Sequence, residues 1–263
     1  HDNVKTDYVG TVAFTSTDGG GGVVLPVNYT YTGTGGDDGT HDFNRTAFTL
    51  ATAGNQTISA ADTVQTGIKA TTGAIDVVAD GIASFTLSAP ASVTAGVPFS
   101  LSVSGAVDGE GNAADGTIDV TFTDAGAHQA PDGTNPTLAN ITVVNGAGSA
   151  NQTLVLAESL TGGADALTGT DSVTAATDDS GNVTVLPGSL NYFTIAGEPA
   201  STTAGQDLTS VGGAGNITVT AYDEYDNVKT DYVGTVAFTS TDGGGGVVLP
   251  ANYTYTGTGG DDG

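Results

Sequence analysis

The chain of 263 residues contains no cysteine, no methionine and no tryptophan, and aromatic residues make up only 6% of it. Without cysteine it has neither disulfides nor a thiol nucleophile, although exported modules large enough to build a core can do without disulfides. No apolar run approaches the roughly 20 residues that a membrane helix needs. The first residues do not resemble a secretory signal peptide, as expected for a stretch taken from within a longer array.

Basic residues are also scarce. Lysine and arginine together number 4, against 29 aspartates and glutamates, which gives a formal net charge of −25. Such a surface repels phosphate backbones and offers no basic patch to hold them, so nucleic-acid binding is excluded. Three interpretations of the acidity stay open: self-repulsion that keeps a long fibre soluble, binding of divalent cations, and adaptation to a salt-rich habitat.

Residues that could support catalysis are few. His1, His41 and His128 lie in different segments, with neither metal-ligand spacing nor a nucleophile motif beside them. Carboxylates are so numerous that no pair stands out as a general acid and base. The glycine run at residues 19–22 has no lysine and no helical pattern after it, so it does not fit a phosphate-binding loop. We therefore expect no catalytic residues and no enzyme activity.

What the chain does contain is a long internal repeat. Residues 2–39 return as residues 226–263 with one difference, Val27 against Ala251, at an offset of 224 residues. Chance does not produce such a match, so we interpret the chain as one period of a tandem array plus an overlap. Near-identical modules in series favour a fibre or stalk over a catalyst.

Short segments in which apolar and polar residues alternate recur along the chain and predict β-strands. The predicted strands include residues 9–17, 43–50, 99–103, 118–123, 153–156, 173–175 and 192–195. No segment sustains an apolar period of about 3.6 residues, so helix is minimal. The sequence therefore predicts an all-β fold class.

The period divides into two weakly similar modules, which open at Ser84 and at Tyr192. In both, an acidic turn follows the second predicted strand. Residues 223–227 of one module correspond to residues 108–112 of the other. Each module is the size of an immunoglobulin-like sandwich of about 100 residues and seven or so strands. We therefore predict the C-terminal part of a module at 1–82, a complete module at 83–189 and the N-terminal part of the next at 190–263.

The repeated segments resemble a known family. Residues 222–227, 232–242 and 253–255, with Leu249 and Pro250 between them, resemble the bacterial Ig-like (Big-type) repeats of large prokaryotic surface proteins. Residues 48–58 do so too, and residues 93–99 more loosely. The resemblance implies tandem immunoglobulin-like β-sandwiches in an elongated array, in an extracellular or cell-surface protein. It says little about ligands, because such domains serve stalks, adhesins and enzyme spacers alike.

Acidic and amide residues gather at several turns and suggest a cation site. Calcium takes six to eight oxygen ligands, which clustered aspartates and loop carbonyls supply. The calcium candidates are Asp108, Glu110, Asn112 and Asp115 in one turn, and Asp223, Asp226 and Asn227 in another. Asp178, Asp179 and Asn182 form a third cluster. None has EF-hand spacing, and the alternative is that Asp, Gly and Asn build turns for conformational reasons. Ca²⁺ between modules is the cofactor that the sequence allows.

Triplets of the form Asn-x-Ser/Thr mark candidate glycosylation sites in an exported chain. They begin at Asn28, Asn44, Asn55, Asn140, Asn151, Asn182, Asn216 and Asn252. The alternative is chance, because threonine-rich strands generate such triplets freely.

Taken together, these patterns predict a non-catalytic structural component of an extracellular fibre or cell-surface stalk. The expected partners are further copies of the repeat, either in the same chain or in neighbouring subunits that join by strand donation. The alternative is a cell-surface adhesin that binds carbohydrate or another cell through these or flanking modules. Exposed clusters of aromatic side chains would favour that alternative.

Overall fold

The computed structural model describes residues 3–211 and 215–263. Over these residues the regular structure consists of short β-strands and two 3-10 segments, Arg45–Ala47 and Leu208–Val211. The prediction of an all-β fold is confirmed. No helix in the two described ranges has the length and apolar character needed to cross a membrane.

The predicted boundaries serve as names for three parts of the chain: the N-terminal module at 3–82, the middle module at 83–189 and the C-terminal module at 190–263. The N-terminal module contains six strands. They are β1 (Thr11–Ser16), β2 (Tyr29–Thr30), β3 (Gly54–Gln56), β4 (Ile58–Asp62), β5 (Lys69–Thr71) and β6 (Ile75–Val77). Four of them form an antiparallel sheet in the order β2–β1–β4–β5, and β3 pairs with β6.

The middle module, residues 83–189, contains ten strands. They are β7 (Ser84–Ser88), β8 (Ser92–Thr94), β9 (Phe99–Val107), β10 (Gly116–Phe122), β11 (Ile141–Val143), β12 (Gly148–Gln152), β13 (Ser159–Leu160), β14 (Leu167–Asp171), β15 (Thr177–Asp179) and β16 (Val183–Leu186). One sheet has the order β11–β10–β14–β15, a second β12–β9–β7 and a third β13–β16–β8.

The hydrophobic core of the middle module lies between these sheets. Strand β7 shows how the sequence builds it: Phe85 and Leu87 are buried, while the two serines and the threonine that alternate with them are exposed. Leu101 of β9 and Ile118 of β10 are fully buried in the same cluster. Burying a side chain of this size contributes about 1.5–3 kcal/mol. Strict alternation therefore commits one face of each strand to the core.

The C-terminal module, residues 190–263, contains four strands in its described part. They are β17 (Tyr192–Ala196), β18 (Thr218–Tyr222), β19 (Thr235–Val236) and β20 (Tyr253–Thr254). Strand β17 pairs with β18, and β19 pairs with β20, both antiparallel.

The N-terminal and middle modules each contain a four-stranded sheet of the same strand order. The order β2–β1–β4–β5 matches β11–β10–β14–β15, and in each sheet an apolar residue pairs with an aspartate at the same register, Val12 with Asp62 and Ile118 with Asp171. Both aspartates then accept hydrogen bonds from backbone N–H groups two and three residues further on. The structure therefore repeats at the level of individual residues.

Some strand predictions were wrong. Residues 43–50 contain a 3-10 turn, because the Asn44 side chain accepts the Thr46 N–H and caps it. Residues 173–175 form a turn held by Asp171, and Ala175 has a φ of 61°. Residues 153–156 are not a strand; the strand there ends at Gln152. In the first two cases, side chains bonded to nearby backbone groups compete with the strand ladder.

Candidate functional site at the two module junctions

The turn between β9 and β10 folds around the buried side chain of Asp108. Its Oδ1 accepts the N–H groups of Glu110 at 3.0 Å and Asn112 at 2.8 Å, and its own N–H donates to the Asn112 carbonyl at 2.9 Å. Gly111 closes the turn with a φ of 88°, in the region that favours glycine. Aspartate and glycine at this spacing thus define the turn.

The remaining polar atoms of Asp108 and Asn112 reach into the N-terminal module. Asp108 Oδ2 accepts the Asp80 N–H at 3.2 Å. The Asn112 amide accepts the Ala53 N–H at 2.8 Å and donates to the Ala51 carbonyl at 2.8 Å. It also donates to Asp108 Oδ2 at 2.9 Å. The asparagine amide therefore pairs with the backbone of Ala51 and Ala53 as a neighbouring peptide group would.

The turn between β18 and β19 makes the same contacts with the middle module. Asp223 is fully buried, and its Oδ2 accepts the Gly188 N–H at 2.7 Å. The Asn227 amide accepts the Ala157 N–H at 2.9 Å and donates to the Val155 carbonyl at 2.8 Å. It also donates to Asp223 Oδ2 at 2.9 Å.

The two junctions match atom for atom. We call Asp108 and Asn112 the first clasp, and Asp223 and Asn227 the second clasp. In each, three side-chain hydrogen bonds reach the preceding module. Leaving one such buried group unsatisfied costs about 1–3 kcal/mol. The clasps are therefore the candidate functional site of the chain.

The surroundings of Asp108 in the first clasp favour the charged form of its carboxyl group. Burial alone would raise the pKa of Asp108, but hydrogen bonds from the Asn112 amide and from backbone N–H groups lower that pKa below its ordinary value. The carboxylate is therefore ionised at neutral pH and acts only as an acceptor. Acceptors are what the surrounding N–H groups require.

The second junction has an additional aromatic contact. Tyr225 packs against the core of the middle module, and its carbonyl accepts the Asp132 N–H at 3.3 Å. A Cβ at Gly96 would overlap the Tyr225 ring, and Gly96 also has a φ of 76°. Glu110 stands at the corresponding position of the first junction and is exposed. The second junction therefore buries apolar surface that the first does not.

The other calcium candidates have separate contacts. Asp115 accepts the Asn145 N–H at 2.6 Å, and Asp226 accepts the Tyr192 hydroxyl at 2.6 Å. Asp178, Asp179 and Asn182 each accept one backbone N–H group, from Leu87, Gly181 and Gly162 respectively. In the described part of the chain no three histidines, cysteines or acids gather in a way that could hold a metal. Calcium binding stays a prediction, while the clasp oxygens have N–H partners of their own.

All the candidate glycosylation asparagines are exposed. This holds for Asn28, Asn44, Asn55, Asn140, Asn151, Asn182, Asn216 and Asn252. Their modification stays a prediction.

The histidines occupy different environments, and His1 lies outside the described residues. His41 stacks on Tyr29, with ring centroids 3.7 Å apart. His128 is buried between Asp124, at 2.7 Å from Nε2, and Glu158, at 2.8 Å from Nδ1. Glu158 follows Ala157, which bonds Asn227, so the buried histidine adjoins the second clasp.

No family model matches the chain, and no curated protein does. Among solved structures it has a likeness to the Bacteroides ovatus mixed-linkage glucan utilization locus SGBP-B in complex with mixed-linkage heptasaccharide, at 14% identity and a TM-score of 0.23. The alignment covers 81% of this chain and 52% of that chain, so the chain spans about half the length of that protein. A TM-score of this size supports no argument about fold or function.

The sequence located both clasp turns and their equivalence, but it did not reveal what they bind. Ala51, Ala53, Val155 and Ala157 contribute only backbone groups, and such groups leave no side-chain pattern. The usable signal was the recurrence of aspartate and asparagine four residues apart in both turns.

Replacing Asn227 by alanine should loosen the second junction alone. The substitution leaves the Ala157 N–H and the Val155 carbonyl without their partners. We expect amide hydrogen exchange at Ala157 to become about ten- to a hundredfold faster, corresponding to about 1–3 kcal/mol. The matched control is Asn112→Ala, which should accelerate exchange at Ala53 and leave Ala157 unchanged. Equal protection of Ala157 in Asn227→Ala and the unmodified chain would contradict the clasp.

His128 should make the stability of the middle module depend on pH. Burial alone would lower the pKa of His128, but hydrogen bonds to Asp124 and Glu158 raise it above the ordinary value of 6.5. The resulting stabilisation is fully present below pH 6.5 and is lost as the pH rises through the folded-state pKa. The urea concentration at the midpoint of unfolding should therefore decrease as the pH rises from 6 to 8.5. His128→Gln should remove this dependence, and His41→Gln should keep it; an unchanged pH profile in His128→Gln would refute the assignment.

Proposed function

We propose that the chain is a structural segment of an extracellular fibre or cell-surface stalk, in which clasps join consecutive immunoglobulin-like modules. The observation that carries the proposal is the recurrence of the same three intermodule hydrogen bonds at both junctions. A catalytic or ligand-binding site is normally single, whereas a joint in a linear array must recur at every boundary.

The clasps act against bending at the module boundaries. Modules connected by flexible linkers move freely relative to one another, and such motion is the default expectation for small polar interfaces. Here each boundary has a buried aspartate and an asparagine whose side chains bond the preceding module; the asparagine is half-buried at Asn112 and buried at Asn227. Opening a boundary exposes these groups or leaves them unsatisfied, at about 1–3 kcal/mol for each unsatisfied group. A series of such joints gives a stiff spacer.

The charge suits an extended assembly. A net charge of −25 over 263 residues makes neighbouring modules repel one another, which keeps an array extended and soluble. Lys5 and Lys229 pair with Asp7 and Asp231, two residues further on, so they neutralise little beyond their own surroundings. Lateral contact between such arrays would require bridging cations or a covering of glycans. This chemistry supports a spacing role outside the cell.

The tyrosines of the repeated stretch support packing over adhesion. Tyr29 donates its hydroxyl to Asp37 at 2.6 Å, and its counterpart Tyr253 donates to Asp261 at 2.6 Å. Both rings pack edge-on against a second tyrosine. They are thus held by neighbours within their own module. The adhesive alternative stays a prediction.

Immunogold electron microscopy of the source cells tests the proposal. Antibodies raised against the chain should label filaments that project from the cell surface, at regular intervals along each filament. Antibody absorbed beforehand with the purified chain is the control. Label confined to the cytoplasm, or to compact particles on the surface, would refute the fibre.

A further inference from the structure

His128 is the one side chain of the middle module that can carry a positive charge, because residues 83–189 contain no lysine, no arginine and no other histidine. The ring is buried and stacks on Phe122, with centroids 3.8 Å apart. Asp124 lies 2.7 Å from Nε2 and Glu158 lies 2.8 Å from Nδ1, and these carboxylates are the charged groups that face the ring. The only possible cation of the module is thus held between two acids.

This arrangement satisfies both carboxylates only when the ring of His128 is protonated. The imidazolium donates from both nitrogens, whereas the neutral ring donates from one nitrogen and presents a lone pair at the other. A carboxylate at hydrogen-bond distance from that lone pair is repelled by it. Loss of the proton therefore removes one of the two hydrogen bonds and drives one of the acids away from the ring.

Glu158 belongs to the segment that receives the second clasp. Its backbone exchanges two hydrogen bonds with Val185, at 3.1 Å and 2.7 Å, so the segment is attached to β16. The preceding residue, Ala157, donates its N–H to Asn227, and the Val155 carbonyl accepts the Asn227 amide. The hydrogen bond from His128 to Glu158 therefore fixes the same stretch of backbone on which the second clasp closes.

The other acid, Asp124, lies in the loop that contacts the next module. This loop joins β10 to β11 across residues 123–140 and also contains His128. Further along it, the Asp132 N–H donates to the carbonyl of Tyr225, two residues after the clasp aspartate of the C-terminal module. The ring of His128 thus connects the loop that contacts Tyr225 with the segment that receives the clasp.

The first joint has a direct contact where the second has the histidine. Asp18 and Asp124 are equivalent, since each lies two residues beyond the end of its strand, β1 or β10. Asp18 is buried and accepts the N–H groups of Ala51 at 2.6 Å and Thr52 at 2.9 Å, in the segment that receives the first clasp. Burial alone would raise the pKa of Asp18, but hydrogen bonds from Thr52 and from backbone N–H groups lower it below its ordinary value. This contact therefore does not change its charge near neutral pH.

We propose that His128 is a pH-responsive switch for the second joint: the protonated ring holds the second clasp closed, and loss of its proton loosens that joint while the first stays unchanged. Lys229, the basic residue beyond the second clasp, pairs with Asp231 and is not needed for the switch. The inference rests on the proposed function, for which it names a regulation of the joint. In an array of this 224-residue period, one joint in two would stiffen as the pH falls.

Titration of the histidine rings in the full chain by NMR tests the coupling, because linkage between two sites is reciprocal. If the protonated ring tightens the second clasp, cutting that clasp must weaken proton binding at His128. Asn227→Ala should therefore lower the pKa of His128, with a loss of proton affinity of about fivefold or more. The matched control is Asn112→Ala, which cuts the first clasp and should leave the titration of His128 unchanged.

Amide hydrogen exchange measures the effect in the other direction. Each rate is divided by the rate of the unfolded chain at the same pH, which gives a protection factor. The protection of Ala157 should fall about fivefold or more from about pH 6 to about pH 8.5, while the protection of Ala53 at the first joint should stay constant. In His128→Gln the protection of Ala157 should no longer depend on pH.

Three results would overturn the inference: a titration of His128 that is the same in Asn227→Ala and the unmodified chain, an equal change in Asn112→Ala, or a protection of Ala157 that does not depend on pH. Any of these together with gold-labelled filaments would leave the fibre with joints that do not respond to pH. The expected coupling without labelled filaments would refute the proposed function and leave a pH-responsive contact between two modules.

Discussion

A buried carboxylate needs hydrogen-bond donors, and the clasp aspartates find theirs on both sides of a module boundary. Asp223 accepts N–H groups from its own turn through one oxygen, and through the other it accepts Gly188 of the preceding module and the Asn227 amide. The turn is therefore in its low-energy form only while the neighbouring module is in place. The hydrogen bonds that form the turn and those that join the modules are thus parts of one interaction, and the module boundary depends on it.

The need of buried carboxylates for hydrogen-bond donors also connects the amino-acid composition with the fold. The chain has few basic residues to pair with its many acids, so the aspartates that are buried rely on backbone N–H groups, hydroxyl groups and asparagine amides. Asp62 and Asp171 hold turns within their modules in this way, and Asp108 and Asp223 hold turns between modules. Acidic residues thus have a structural role inside the fold and repel one another on its surface.

The sequence predicted the elements whose pattern reflects burial. Strand β7 and the first five residues of β9 alternate strictly because one face enters the core, and they lie where alternation placed them. The strand predictions at Asn44 and near Asp171 were wrong because those side chains bond the local backbone. The clasps were located as turns, but their role could not be predicted, since Ala51 and Val155 receive them through carbonyl groups that every residue has. The correspondence between residues 108–112 and 223–227 was a better guide to the site than any single motif.

The most direct test of the central claim is the distance between spin labels on adjacent modules. Because the chain has no cysteine, Thr86→Cys in β7 and Thr194→Cys in β17 provide two specific, exposed sites at equivalent positions. We expect one narrow distance distribution, which broadens when Asp223 and Asn227 are both replaced by alanine. A distribution that is already broad with the clasp intact, or one that stays narrow without it, would contradict the account.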